Sequence, residues 1–425
     1  MIKMIKCILS GLMIMSLLAV SAYADTEITQ TRIVTEYMSN DLMSDLDDKD
    51  EAVTVANVGD ITLNAKSAIL IEQNTGKILF EKNADEKTPP ASITKIMSLL
   101  LVMEALENGK FTVDSDVTCT EHAASMGGSQ IWLEPGETMT VDELLRAAAI
   151  GSANDATCAL GENVAGSEEG FVSMMNERAK QLGMKNTHFE NCTGLDAQGH
   201  LTTARDIAVM SRELLKHDLI KKYTTVWMDS LRGGKTELVN TNKLVRFYEG
   251  ATGLKTGTTS GAGCCLSESA PPGGPGCCLS ASATRDGLSL IAVVLGCDNS
   301  NNRFADAKKL LNFGFANYGS ATVKIERDEL PDIPVTKGTQ TSVTLTADSS
   351  VSFLVAKGRE GDIQKSFDLP ESLEAPIRAG DTVGTITFTL DGKTLGQLPV
   401  VTSNGVDKMS YSVGIGRIFS ALFAK

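Results

Sequence analysis

The stretch that most constrains this chain is Pro89-Pro90-Ala91-Ser92-Ile93-Thr94-Lys95, followed by an apolar run to Leu106. Proline fixes its own φ and disfavours the helical region for the residue before it, so the approach is held extended. Good helix formers continue through Met97, Leu99, Leu100, Met103 and Leu106 to a stop at Asn108-Gly109. Apolar residues fall on every face, which predicts a helix surrounded by protein. At its first turn Ser92 and Lys95, three apart, share one face. Burial penalises the charged form of a lysine, and a neutral amine beside a hydroxyl can take its proton. The spacing predicts a nucleophile and its base at the head of a buried helix.

A chain of 425 residues has room for two or three domains with real cores. A hydrophobic content of 42% with 22% charged residues is that of globular protein and excludes wholesale disorder. The net charge of −14 argues against nucleic acid or an acidic polymer as partner. It leaves neutral or zwitterionic small substrates open.

Residues 1–24 read as a signal peptide. Lys3 and Lys6 open it, Cys7 to Val20 is largely apolar, and Ala22-Tyr23-Ala24 gives a small-x-small cleavage pattern before Asp25. An exported, extracytoplasmic protein follows, an uncut membrane anchor being the other reading. Residues 25–58 are acidic and form a solvated linker. Outside the cytoplasm the cysteines after Cys7 could oxidise. Cys119, Cys158, Cys192, Cys264, Cys265, Cys277, Cys278 and Cys297 nevertheless match neither a disulfide framework nor a zinc pattern, so most are expected as buried free thiols. The four histidines are scattered without metal spacing.

The globular part opens with a hairpin, Ala68 to Glu72 and Lys77 to Glu81 about Asn74-Thr75-Gly76. It leads into the Ser92 helix. Helices are predicted over Val141 to Ile150, Glu169 to Leu182 and Thr203 to His217, with an irregular loop from Asn186 to Gly199. Strands return at Gly253 to Thr258, Leu279 to Arg285 and Leu288 to Leu295, the last two joined by Asp286-Gly287, and a helix from Arg303 to Tyr318 follows. That order suggests an α+β fold, an antiparallel sheet flanked by helices with a helical subdomain, over 59–318. From Ala321 short alternating strands read as a small β-sandwich domain, 319–407. In the tail, 408–425, Tyr411, Ile415, Ile418, Phe419, Leu422 and Phe423 fall on one side of a terminal helix, read either as a frayed end or as a foot on a membrane surface. Gly263 to Ala270 recurs almost unchanged as Gly276 to Ala283 across Pro271-Pro272-Gly273-Gly274-Pro275. Residues 264–276 are therefore taken as a duplicated insertion looping out of a hairpin.

Three short motifs carry chemistry. Ser92 is the only serine with a lysine three residues on. Ser152-Ala153-Asn154 follows an apolar helix and Gly151, where Ser or Asn could cap the next helix or present a hydroxyl and an amide to a cleft. Lys255-Thr256-Gly257-Thr258 lies on a strand, where a glycine would let a substrate backbone lie alongside. In this order and spacing the triplet resembles the active-site serine penicillin-recognising enzymes, a motif set established for class A β-lactamases and penicillin-binding proteins. It is most similar to the serine-type D-alanyl-D-alanine carboxypeptidases, together with Asn191-Cys192-Thr193-Gly194-Leu195-Asp196 and Ser282-Ala283-Thr284-Arg285-Asp286-Gly287.

That resemblance implies a β-lactamase/transpeptidase-like catalytic domain and a reaction without cofactor or metal. Ser92 would attack the carbonyl between two terminal D-alanines of a peptidoglycan stem peptide, with Lys95 as base. Ser152 would relay a proton to the leaving amine, and Asn154 would hold Lys95 and the substrate amide. Lys255 would help keep Lys95 neutral, Thr256 and Thr258 would bind the terminal carboxylate, and Gly257 would admit the substrate strand. The backbone N–H groups of Ser92 and Thr258 would form the oxyanion hole. β-Lactam antibiotics would acylate Ser92 and leave slowly. Arg246 and Arg285 are the candidates for a carboxylate-binding arginine. The rival readings are a β-lactamase, for which Glu190 in the irregular loop would be the deacylating group, and a wall-binding or β-lactam-sensing module without catalysis.

Overall fold

The computed structural model describes residues 61–258, 276–410 and Ile415. The expected leader, the acidic linker, the insertion up to Pro275 and the tail beyond Ser410 lie outside the described residues, Ile415 apart.

The first hairpin forms as its turn residues dictate. Strands β1 (Ser67–Glu72) and β2 (Ile78–Lys82) pair antiparallel, with Gly76 at φ +76° in the connection. Later in the chain come β3 (Ala251–Thr258), β4 (Cys277–Arg285) and β5 (Leu288–Cys297). The sheet runs β2-β1-β5-β4-β3, antiparallel throughout. Thr258 on β3 pairs with Cys277 on β4, so the second copy of the repeat enters the sheet. Asp286 and Gly287, both at positive φ, close the β4–β5 hairpin, the geometry that matches strand twist.

Helix α1 (Lys95–Glu107) buries Ile96, Met97, Leu99 to Met103 and Ala105 on all sides. The turn before it, Ala91–Thr94, is a 3₁₀-helix. Around α1 stand α2 (Val141–Arg146), α3 (Asn154–Ala165), α4 (Glu168–Gln181) and α5 (Ala204–Leu214). Three of these start on an oxygen acceptor: Thr140 with Glu143 in a capping box, Ser167 on Gly170 and Thr203 on Asp206. The helix expected to run to Ile150 changes character at Ala147. Its last turn is a π-helix, Ala147–Gly151, ending in Ser152 at φ 63°, ψ 27°. Helix α6 (Ser300–Asn317) packs its buried Phe304, Ala307, Leu310 and Leu311 on the sheet.

Beyond Asn317, Tyr318–Lys324 pairs with Ser350–Ala356. Three- and four-stranded sheets follow around a second core that includes Ile386, Phe388, Leu398 and Val400. The alternation read from the sequence matches this β-rich part, although several strands are only two residues long.

Candidate active site

Ser92 sits in the 3₁₀ turn and Lys95 is the first residue of α1. A 3₁₀ turn eclipses side chains at i and i+3, which sets the two directly against each other where an α-turn would offset them. Lys95 Nζ donates to Ser92 Oγ at 3.0 Å and to the Thr193 carbonyl at 2.7 Å. The amine is fully buried, and burial lowers its pKa to about 7 against the opposing fields of Cys192 and Asp155. Holding a lysine uncharged at neutral pH costs about 5 kcal/mol. The large aliphatic side chains of α1 contribute about 1.5–3 kcal/mol each on burial, enough to offset that cost.

The two buried lysines disfavour each other's charge. Lys255 on β3 is also fully buried, and its pKa is pushed well below the ordinary value by burial first, then by the charges of Lys95 and Arg303. Lys95 owes its lowered basicity to burial. The partners of Lys95 differ from expectation: the Thr193 carbonyl takes the place proposed for Asn154. Asn154 Nδ2 donates to the Gly127 carbonyl at 2.6 Å, and its Oδ1 is buried without a partner. Neither Ser152 nor Asn154 is the N-cap of α3. Ala153 is the N-cap residue of α3, and no side chain bonds there. That removes the N-cap explanation of the motif, and Asn154 Oδ1 is left as an acceptor that a substrate N–H would satisfy. Ser152 is held in the left-handed region, a conformation that costs a non-glycine residue about 1–3 kcal/mol and gathers at functional sites. Asp155 beside it is structural, accepting from the backbone N–H of Ile131, Leu133 and Ala156.

Strand β3 is bound to both sides of this arrangement. Thr256 hydrogen-bonds Thr241 at 2.8 Å, and Thr241 N–H donates to the Ile150 carbonyl just before Ser152. Thr256 is thus buried and engaged, whereas Thr258 is exposed at the strand end. A Cβ on Gly257 would stand 2.9 Å from the Pro90 carbonyl oxygen and 3.2 Å from Ala91 Cβ. The glycine lets the strand press against the Ser92 turn, which is the reason for it that the structure gives. On the opposite side Gly194, at φ +87°, lies so close to Ala91 that a Cβ would fall 1.9 Å from its carbonyl oxygen. Asn191 Oδ1 shapes that loop by accepting from the N–H groups of Thr193, Gly194 and Leu195. Thr94 and the buried His200 meet at 2.8 Å, tying the end of the same loop to the turn.

Neither arginine proposed from the sequence lies at this strand end. Arg246 stacks near Trp227 and Phe247, and Arg285 lies over Tyr248 and Phe315 while donating to the Glu249 carbonyl. The arginine at the strand end is Arg303 of α6, whose Nη1 donates to the Gly257 carbonyl at 3.1 Å and to Thr258 Oγ1 at 3.2 Å. Its Nε is buried without a partner. One signal for it existed: a cation near the start of a helix opposes the macrodipole and needs another reason to be there. Glu190 is engaged elsewhere, paired with His188 at 3.1 Å.

The arrangement provides a hydroxyl next to an amine of matched basicity, an orphaned amide oxygen and a guanidinium beside an exposed threonine. That is equipment for acyl transfer from a substrate ending in a carboxylate. Comparison with known proteins agrees. Residues 51–299 match the family model described as D-alanyl-D-alanine carboxypeptidase, and residues 322–408 match the penicillin-binding protein 5 C-terminal domain. The chain is 43% identical over 351 residues to the D-alanyl-D-alanine carboxypeptidase DacF of Bacillus subtilis, covering 82% of this chain and 87% of that one. It superposes on penicillin binding protein 5 from Haemophilus influenzae with a TM-score of 0.68 at 30% identity, over 83% of this chain and all of the other. It also resembles penicillin-binding protein D2 from Listeria monocytogenes in its ampicillin-bound form, with a TM-score of 0.53 at 30% identity over 60% of this chain and all of that one. The chain belongs to the D-alanyl-D-alanine carboxypeptidase family of serine-type hydrolases.

Proposed function

We propose that this enzyme removes the terminal D-alanine from peptidoglycan stem peptides through an acyl-enzyme on Ser92, and that β-lactams inhibit it by acylating the same oxygen. The observation that carries the reading is the 3.0 Å contact between Ser92 Oγ and a fully buried Lys95 whose pKa is about 7. In the neutral form Lys95 accepts the Ser92 proton as Oγ bonds to the carbonyl carbon. The tetrahedral oxyanion collapses, the C–N bond breaks, and the departing D-alanine amine leaves with a proton relayed through Ser152. Asn154 Oδ1 takes the substrate amide N–H. Arg303 and Thr258 hold the terminal carboxylate, with Lys255 able to regain a proton when that anion arrives. The backbone N–H groups of Ser92 and Thr258 hold the oxyanion, an effect of about 3–4 kcal/mol per donor. Water on the opposite course hydrolyses the ester and returns the proton to Ser92.

Action on peptidoglycan places the enzyme outside the cytoplasm. We read residues 1–24 as the signal that takes it there. We read 408–425 as a tail lying along the membrane surface, a reading supported by its one-sided apolar residues. Among the described residues no helix is long and apolar enough to cross a membrane. The test is release of free D-alanine from a stem-peptide mimic by wild type and by Ser92→Ala, with labelling by a fluorescent penicillin in parallel. Wild type should release D-alanine and bind the label one to one, and Ser92→Ala should do neither. Label retained on Ser92→Ala would refute the nucleophile. Rapid nitrocefin turnover in place of a stoichiometric burst would make the enzyme a β-lactamase.

A further inference from the structure

Away from Ser92, side chains from three helical segments converge on one point. His122 comes from the short helix Glu121–Ala124, Cys158 from α3 and Glu168 from the first residue of α4. The Cys158 sulfur, an imidazole nitrogen and a Glu168 oxygen all lie within 4.8 Å of one another. Cys158 Sγ is 3.5 Å from His122 Nδ1, and Glu168 Oε2 is 3.3 Å from Nε2. Glu162 braces the ring at 2.8 Å and is itself fixed by the Thr120 hydroxyl at 2.6 Å. A further thiol, Cys192, touches both Cys158 and Glu168, and its backbone N–H donates to Glu168 at 3.0 Å.

An ordinary histidine–carboxylate pair would account for His122 with one glutamate. It does not account for two carboxylates and a buried thiol gathered round one imidazole. Among the described residues, the ion pairs of Glu162 and Glu168 are both to His122, so two anions share a single titratable cation. A mixed sulfur, nitrogen and oxygen set of this kind is the donor chemistry of zinc, at about 2.0–2.3 Å per bond. The present separations need only a modest contraction to reach it. His122 is exposed while Cys158 is buried, which gives the ion an entry path and a dry inner face.

We propose that His122, Cys158 and Glu168 bind a zinc ion. Binding expels the thiol proton of Cys158 to solvent and leaves a thiolate–metal bond. Glu162 acts as the carboxylate that orients the ligating imidazole. The ion would join the Glu121–Ala124 helix, α3 and α4, and, through the Cys192 N–H on Glu168, the loop whose Thr193 carbonyl holds Lys95. It lies behind the catalytic groups and takes no part in the acyl transfer.

The experiment uses the mature protein, stripped with a chelator under reducing conditions and titrated calorimetrically with zinc. One ion per chain should bind, and the thermal midpoint should rise with zinc concentration. Cobalt in its place should give a thiolate charge-transfer band. Cys158→Ser should abolish the band. His122→Ala, at an exposed ligand whose loss leaves the core intact, should weaken zinc binding on the order of tenfold or more. Cys297→Ser, a buried thiol elsewhere, should change neither. Absence of stoichiometric binding, binding indifferent to both ligand variants, or a Cys158–Cys192 disulfide in the protein as isolated would each overturn the proposal.

Discussion

In the proposed mechanism Lys95 sets the working pH of the site. Its amine must be uncharged to accept the Ser92 proton, and burial puts the change of state at about 7. Because the pKa is lowered, the competent fraction grows as pH rises. Acylation by a penicillin should therefore increase about tenfold from about pH 6 to about pH 8, then level off. A rate flat across that interval would mean that the lysine is already neutral below it. Arg303 governs a different parameter. Replacing it with alanine removes a charge-assisted contact of about 1.5–3 kcal/mol, so kcat/KM for a peptide ending in D-Ala-D-Ala should fall about tenfold to a hundredfold. Arg303 also braces Gly257 and Thr258, so the comparison must include a peptide amidated at its C-terminus. If the arginine reads the carboxylate, the amidated peptide loses far less. Equal losses on both would assign it a bracing role.

Among the elements, the 3₁₀ turn that carries Ser92 is clamped between β3 and the 186–199 loop, with a glycine at a close approach on each side. Gly194→Ala would drive a methyl into the Ala91 carbonyl and shift the nucleophile. A displacement of about 1 Å costs on the order of a hundredfold in rate, to be read as the acylation rate constant. Gly183→Ala is the control, with a comparable positive φ and nothing within 4 Å of the added Cβ. If both variants slow alike, backbone strain and not the clamp is responsible. The loop is also pinned by His200, which accepts from the Glu190 N–H and meets Thr94. Burial lowers its pKa to about 4. Between about 6.5 and 4 the unfolded chain takes up a proton that the folded chain refuses, so stability is lost as pH falls through that window. The loss is up to about 3 kcal/mol. Denaturant melts of wild type and His200→Gln across the window should converge on acidification, and parallel curves would exclude His200 as the source. Little of this clamp was legible beforehand. The hairpin and the buried helix are local patterns in the chain, and the structure forms both where the sequence places them. The 3₁₀ and π turns, the closeness of Gly194 to Ala91, and the positions of Arg303 and of the His122–Cys158–Glu168 cluster depend on residues far apart in sequence, which periodicity does not encode.

For the molecule as a whole, every side chain assigned to chemistry lies between Ser92 and Arg303, and the residues after Asn317 build a separate core about Ile386, Phe388, Leu398 and Val400. The sequence marked this division by a change of texture at Ala321, where helical periodicity gives way to alternation. It gave no titratable cluster beyond that point, and Arg327–Asp332 and Lys337–Glu374 there are exposed pairs that contribute little. We propose a positioning role for the β-rich part, one that can be separated from catalysis. Phe388 is fully buried and packs against Phe353 at a ring distance of 5.0 Å. Phe388→Ala should cost about 3–5 kcal/mol in the core that contains it, visible as an earlier transition in a thermal melt. The rate of penicillin acylation at 25 °C should stay that of wild type, because the groups that neutralise Lys95 and hold Ser92 belong to the first core. Release of D-alanine from polymeric wall material, as opposed to a short soluble peptide, is where a weakened second core should register, since an extended substrate must be placed against the site. A parallel fall in acylation of the soluble β-lactam would show instead that the second core supports the catalytic geometry directly.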